Sequence, residues 1–246
     1  MKYAVVTGAG GGIGREIAVM LSHEGYHIIG VGRNEETLLK TAAVCSGEFS
    51  PVIADVTNRE NLYQKLASFK NIHVLVANSG VCERTEIFDD ESDAVFDKVI
   101  NTNITGVWNT FRAVVPNLVD GGSAVVISSG LGKLARAGYS AYAASKHAVL
   151  GITKCLAIEL APKSIRVNAV CPGWVNTGMA MSDLDYSANQ NGTSRDEEYA
   201  EAVKSIPMKR FVEPKEVADM VVWLSSSKSS AITGQSYNIS CGEFTL

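Results

Sequence analysis

The stretch AVVTGAGGGIGREIA, residues 4–18, decides the fold. A short apolar run ends at Val6, Gly8, Gly12 and Gly14 follow, and helix-forming sequence begins at once. A continuous β-branched run bounded by glycine reads as a strand buried on both faces. Glycine permits the tight turn and lets backbone approach a phosphate closely. The helix that opens next presents unpaired N–H groups and partial positive charge. Strand, glycine loop and helix in that order predict a cradle for the pyrophosphate of a dinucleotide, formed by Gly8, Gly12, Ile13 and Gly14. The spacing is T-G-x-x-x-G-x-G, and no Gly-Lys-Ser/Thr follows, which excludes a nucleoside-triphosphate loop.

Outward from this loop, short apolar runs alternate with helical patterns. Strands are expected over 3–6, 27–32, 50–56, 72–78, 123–129, 165–172 and 234–239. Helices are expected over 12–24, 34–45, 58–69, 92–119, 141–162 and 213–226. Asn34 and Asn58 suit helix N-caps, and Pro214 suits a first turn. Such alternation implies right-handed βαβ units. The expectation is an α/β chain: one Rossmann-like doubly wound domain over 1–246, a seven-stranded parallel sheet with helices on both faces. The irregular polar stretch 177–207 is the candidate substrate lid.

Composition narrows the function. The 246 residues carry a formal net charge of -4, with no lysine/arginine block, which argues against nucleic-acid and membrane-surface partners. No long apolar run suggests a signal peptide or a membrane span. Five cysteines, an odd number without C-x-x-C spacing, read as reduced thiols in a cytoplasmic protein. His23-Glu24-Gly25-Tyr26-His27 matches H-E-x-x-H, the pattern of a zinc hydrolase. That chemistry needs both histidines one turn apart on a continuous helix. Gly25 falls where the first helix should end, so no metal site is expected.

The second strand ends at Gly32-Arg33, where an acidic residue would accept a bond from a ribose 2′-hydroxyl. Arginine instead forks onto a 2′-phosphate. NADP(H) is therefore the favoured cofactor, with NAD(H) as the alternative. No basic residue between Gly8 and Gly14 reinforces this.

The segment ISSGLGKLARAGYSAYAASK holds a second constellation. Tyr142 and Lys146 lie four apart at the head of a helix and share a face. Ser129 ends the strand before it. A ketone gaining hydride needs a proton on its oxygen, and a free phenol holds its proton up to a pH of about 10. Lys146 as a neighbouring cation would lower that value, and Ser129 could donate a hydrogen bond to the substrate oxygen. With the glycine loop, these residues resemble the short-chain dehydrogenase/reductase family over essentially the whole chain. Further matches are Asp55 after the third strand, Ala77-Asn78-Ser79-Gly80 after the fourth, Asn103, and Pro172-Gly173-Trp174-Val175-Asn176-Thr177 after the sixth.

The resemblance implies a single oxidoreductase active site. Tyr142 would be the acid/base, Ser129 and Lys146 its partners, and Lys146 would also hold the nicotinamide ribose. Asn103 would position a water leading from Lys146 to solvent. Asp55 and Val56 would meet the adenine. Asn78, Ser79 and Gly80 would line the cofactor, and Val175 and Thr177, following Pro172-Gly173, would meet its nicotinamide end. Similarity to 3-oxoacyl and polyketide ketoreductases and to hydroxybutyrate dehydrogenase-like members makes a 3-oxoacyl or related apolar carbonyl compound the expected substrate. Leu131, Leu134, Tyr139, Trp174 and Met179 should line its pocket, with Met181 and Tyr186 as further candidates. Lys133, Arg136 and Arg210 are candidates for a phosphate-bearing carrier arm. Asn238-Ile239-Ser240-Cys241-Gly242-Glu243-Phe244 departs from the family's ending. The long helices over 92–119 and 141–162 imply a homotetramer. The competing reading is a non-catalytic dinucleotide-binding regulator on the same fold.

Overall fold

The computed structural model describes residues 2–245. Seven strands form one parallel sheet: β1 (Lys2–Thr7), β2 (Tyr26–Gly32), β3 (Phe49–Ile53), β4 (Ile72–Ala77), β5 (Leu118–Ile127), β6 (Arg166–Pro172) and β7 (Ser236–Ile239). Their order across the sheet is β3-β2-β1-β4-β5-β6-β7. The chain winds outward from β1 in one direction and from β4 in the other. The crevice between those two carboxyl ends is where such sheets bind ligands.

Alternation along each strand makes two cores. Ala4, Val6, Val74, Val76 and Val125 face α1 (Gly12–His23) and α9 (Pro214–Ser225). Val5, Leu75, Ala124 and Val126 face α5 (Gly106–Val114) and α6 (Ser140–Leu160). α2 (Glu35–Ala42) and α3 (Arg59–Leu66) cover the flanks. Asn34 and Asn58 cap them as expected, each accepting a backbone N–H at 3.1 Å. A cap of this kind is worth about 1 kcal/mol.

Two expectations change. The helix expected over 92–119 is α4 (Ser92–Ile100), one π turn (Asn101–Thr105) and α5, and it gives way to β5 at Leu118. Within the π turn the Gly106 N–H bonds the Asn101 carbonyl, one residue beyond the α-helical partner. Pro116 then lacks the donor that would continue the helix. The stretch over 177–207 is two helices, α7 (Gly178–Asn191) and α8 (Arg195–Lys204). Buried Ala180, Leu184 and Ala188 recur every fourth residue, and a Ser194–Glu197 capping box opens α8. Gly192, at φ +66°, makes the turn between them. Ala180 and Leu184 pack with Ile206 and Phe211 against Trp174, which tethers the pair to the end of β6.

Candidate active site

The glycine loop is held by its neighbours. The Thr7 hydroxyl accepts the backbone N–H groups of Asn78 and Ser79, each at 3.0 Å. The Asn78 amide donates to the Thr7 carbonyl at 2.9 Å. β1 and β4 are thereby locked together where the crevice opens. A Cβ on Gly14 would lie 2.1 Å from the Gly8 carbonyl oxygen, so helix and loop pack as only glycine allows. Gly8 has φ +69°, and a Cβ there would meet the Asn78 amide at 2.7 Å. No side chain caps the start of α1. Its N–H groups therefore remain available to a phosphate. The residues present fit a dinucleotide.

Ser129 follows β5, and Tyr142 stands in the first turn of α6. Lys146, one turn further, is buried and donates from Nζ to the Ile127 carbonyl at 2.9 Å. Its Nζ lies 5.5 Å from the centre of the Tyr142 ring. The Ser128 hydroxyl binds the Lys146 carbonyl at 2.9 Å, fixing α6 to the end of β5. The π turn places Asn103 beneath this group. Its amide nitrogen donates to the Val81 carbonyl at 2.9 Å and to Ser145 Oγ at 3.0 Å. Its oxygen accepts the Val81 N–H at 2.8 Å. Gly80 lies against both Asn103 and Lys146: a Cβ would stand 3.2 Å from Asn103 Oδ1 and 3.4 Å from Lys146 Nζ.

The electrostatics correct one expectation. Burial drives both Tyr142 and Lys146 toward their neutral forms. It pushes the Tyr142 phenol upward, aided by the Cys82 thiol and opposed by a hydrogen bond with Ser129. Burial also lowers Lys146 to about 8. The protein alone does not render Tyr142 acidic: desolvation dominates, and the opposing pull comes from Ser129, not from Lys146.

These groups line one cleft of about 470 Å³. Gly8, Gly12, Ile13, Gly14, Asn78, Ser79 and Gly80 border one half, with Pro172, Gly173, Val175 and Thr177. Ser129, Tyr142 and Lys146 lie along it, and Leu131, Leu134, Tyr139, Trp174 and Met179 wall the other half. Met181 packs into the small core of α7 and α8 instead, and Tyr186 stacks under the Arg84 guanidinium at 4.8 Å. Arg33, Asp55 and Val56 stand outside the cleft's lining. Arg33 is exposed just past β2. The Asp55 carboxylate is engaged by the Thr57 N–H and hydroxyl at 2.9 and 2.8 Å. Val56 is buried, and its side chain packs where a Cβ on Gly106 would fall. Two of the three carrier-arm candidates are structural. Lys133 donates to the Ser236 carbonyl and Asn238 Oδ1, and Arg210 forks onto Glu216 at 2.6 and 2.7 Å.

Several site residues escaped sequence reasoning. Asp183, Cys82, Glu243 and Phe244 also line the cleft, as does the carrier-arm candidate Arg136. Arg15 returns its guanidinium to the Gly10 carbonyl at 3.1 Å and to Thr41 Oγ1 at 3.2 Å. It is a basic group at the glycine loop after all. Helical side chains lean toward the helix N-terminus, and that rule was the available signal. His23 ends α1, whereas His27 sits in β2 and meets Ser50 Oγ at 2.8 Å. The H-E-x-x-H residues thus lie on two different elements.

A family model described as enoyl-(acyl carrier protein) reductase matches residues 8–243. The 3-oxoacyl-[acyl-carrier-protein] reductase FabG of Thermotoga maritima is 35% identical over 98% of this chain and 97% of its own length. The solved structure of a single-residue variant of actinorhodin polyketide ketoreductase with NADPH is 34% identical, covers 100% of this chain and 98% of that one, and has a TM-score of 0.92. A 3-oxoacyl-[acyl-carrier protein] reductase with bound NAD from Brucella melitensis is 31% identical, covers 100% and 92% of the two chains, and has a TM-score of 0.85.

Proposed function

Since the chain belongs to the short-chain dehydrogenase/reductase family, oxidoreductases acting on CH–OH and carbonyl groups, we propose that it reduces a ketone, or oxidises the matching secondary alcohol, with NADP(H). One observation carries this reading: Ser129, Tyr142 and Lys146 lie together in a cleft whose other half is the glycine cradle. The dinucleotide, when bound, supplies or accepts the hydride. The chain's own residues handle the proton and the oxygen. Ser129 hydrogen-bonds the carbonyl oxygen as charge develops there. Tyr142, kept protonated by burial, is a competent general acid for that oxygen. Protonated Lys146 stabilises the phenolate left behind and offers its remaining N–H donors to a ribose. The Asn103 side chain is committed to Val81 and Ser145, so it holds the loop after β4 in place; any water it positions meets its main chain.

Arg33 and Arg15 support NADP(H) over NAD(H). Gly10 packs against Thr37 in the first turn of α2, which brings the glycine loop beside the Gly32-Arg33 end of β2. Two guanidinium groups thus serve the neighbourhood in which a 2′-phosphate would rest. α7 and α8 act as the lid. The names of the relatives support a 3-oxoacyl compound, and the apolar wall suits an acyl body. No described helix is long and apolar enough to cross a membrane, and we place the enzyme in the cytoplasm, as a homotetramer.

The test is Tyr142→Phe, with turnover followed by nicotinamide absorbance on a panel of 3-oxo esters and cyclic ketones, and NADPH binding by fluorescence. Turnover should fall by about 10³-fold or more while NADPH affinity stays within a few fold. Retained turnover refutes Tyr142 as the acid. NADPH binding by the unaltered protein without turnover of any ketone favours the non-catalytic regulator.

A further inference from the structure

The substrate half of the cleft is not the uniformly apolar pocket that the sequence suggests. Leu131, Leu134 and Trp174 share this lining with two carboxylates that have spare accepting capacity, Asp183 and Glu243. The Tyr139 hydroxyl donates to Asp183 Oδ2 at 2.5 Å. Asp183 Oδ1 receives no hydrogen bond among the described residues; the Arg84 guanidinium stands 3.8 Å away, too far for one. Arg84 spends its Nη1 on Ser187 Oγ at 2.6 Å instead. The Asp183 side chain is 13% exposed, and the residue lines the cleft. Glu243 repeats the arrangement: Arg136 lies 3.5 Å from Oε1, and Oε2 takes a long contact of 3.4 Å from the Trp174 N–H.

A half-satisfied carboxylate in a closing cleft loses water when substrate enters. That loss opposes binding unless the substrate replaces the bond. A saturated acyl chain has no donor to offer. The two carboxylates each face a guanidinium, so the wall carries no excess negative charge that would select an ammonium group. A hydroxyl meets these conditions: it donates to Asp183 Oδ1 and accepts from a guanidinium. Asp183 is held by Tyr139, which caps the start of α6 three residues before Tyr142, and all three line the same cleft. The donor must therefore sit near the reacting carbonyl, not at the far end of a long chain.

We propose that Asp183, fixed by Tyr139, accepts a hydrogen bond from a hydroxyl group close to the substrate's carbonyl, so that the substrate is a hydroxylated ketone and the product a diol or polyol. This rests on the ketoreductase reading above and narrows it. Asp183 is a specificity-determining residue, and a 3-oxo compound fits best when its chain carries a hydroxyl beside the reacting carbon.

The test compares matched pairs with NADPH and the full chain: ethyl 3-oxobutanoate against ethyl 4-hydroxy-3-oxobutanoate, and cyclohexanone against 2-hydroxycyclohexanone. The hydroxylated member should be favoured in kcat/KM by about tenfold or more, the value of a hydrogen bond to a charged group. Asp183→Ala should bring that ratio to within about threefold of unity. Asp183→Asn, which can still accept from Tyr139 and preserves the packing, should lower it as well, because its second atom now donates. Ser187→Ala loosens Arg84's hold on α7 and removes a hydroxyl contact to the Asp183 main-chain carbonyl, but leaves the Asp183 carboxylate and its bond from Tyr139 in place. If Asp183 served only as a lid latch, that variant would change the ratio as Asp183→Ala does; it should leave the ratio as it was. A ratio near unity in the unaltered enzyme, with turnover that still depends on Tyr142, overturns the hydroxyl proposal alone. So does a ratio that survives both Asp183 variants. No Tyr142-dependent turnover of either member of any pair overturns the parent reading with it.

Discussion

Lys146 carries the pH dependence of the proposed reaction. Its cation stabilises the phenolate, yet burial lowers it to about 8. Raising the pH through that value strips the ammonium of its proton and with it the stabilisation. Tyr142, moved upward, does not titrate in that window. The expected outcome is a kcat/KM for ketone reduction that declines as pH rises past about 8, measured between about pH 6 and 10. Lys146→Arg should push the decline upward, since guanidinium keeps its proton to beyond about pH 12. A flat profile in the unaltered enzyme would remove Lys146 from that role. The pair was legible in sequence because a four-residue spacing on a helix is a spatial contact by construction. The contact between Tyr139 and Asp183 was not. It joins residues 44 apart, on a loop and a lid helix, and no local rule brings them together. The net electrostatic balance was equally hidden, because desolvation depends on what the rest of the chain lays over a group.

Elements set where these residues stand. α1 opens without a side-chain cap, and β2 hands the chain to Arg33 beside it. Arg33→Asp should replace a 2′-phosphate partner with a 2′-hydroxyl partner. The ratio of kcat/KM for NADPH over NADH should fall by about tenfold or more, as for loss of a charge-assisted contact. An unaltered ratio would transfer that duty to Arg15 or show that the ribose end is not read here. The strands and most helices followed from periodicity, since buried parallel strands are short, continuous and apolar. The π turn did not, because its extra residue leaves the apolar spacing of 92–114 looking like one helix. Yet that turn aims the Asn103 side chain at Val81 and Ser145. α7 was misread as irregular because its buried positions are only alanine and leucine in a polar background, and α8 because none of its residues is fully buried. The capping box at Ser194 was the signal available.

At the scale of the molecule, alternation of strand and helix was enough for a doubly wound parallel sheet, since handedness and short connections leave few other windings. The proposed tetramer would use apolar groups left on the surface. Phe96 on α4, Trp108 on α5 and Ile158 on α6 are exposed, with Ile87 and Phe88 just before α4. Large apolar groups clustered on neighbouring elements mark a protein contact. Light scattering should return the mass of four chains, and Trp108→Glu should shift it downward. A monomeric mass for the unaltered protein would contradict the tetramer. The cleft itself has a division of origin. Ser129, just past β5, and Tyr142 and Lys146 on α6 are joined through Ser128. Much of the remaining lining comes from the 132–139 loop, α7 and residues 243–244. The 132–139 loop lies between Ser129 and Tyr142, whereas α7 is a stretch of its own, well apart from them in the sequence. A library of variants confined to α7 could redirect this catalyst to new compounds without disturbing the apparatus that moves the proton.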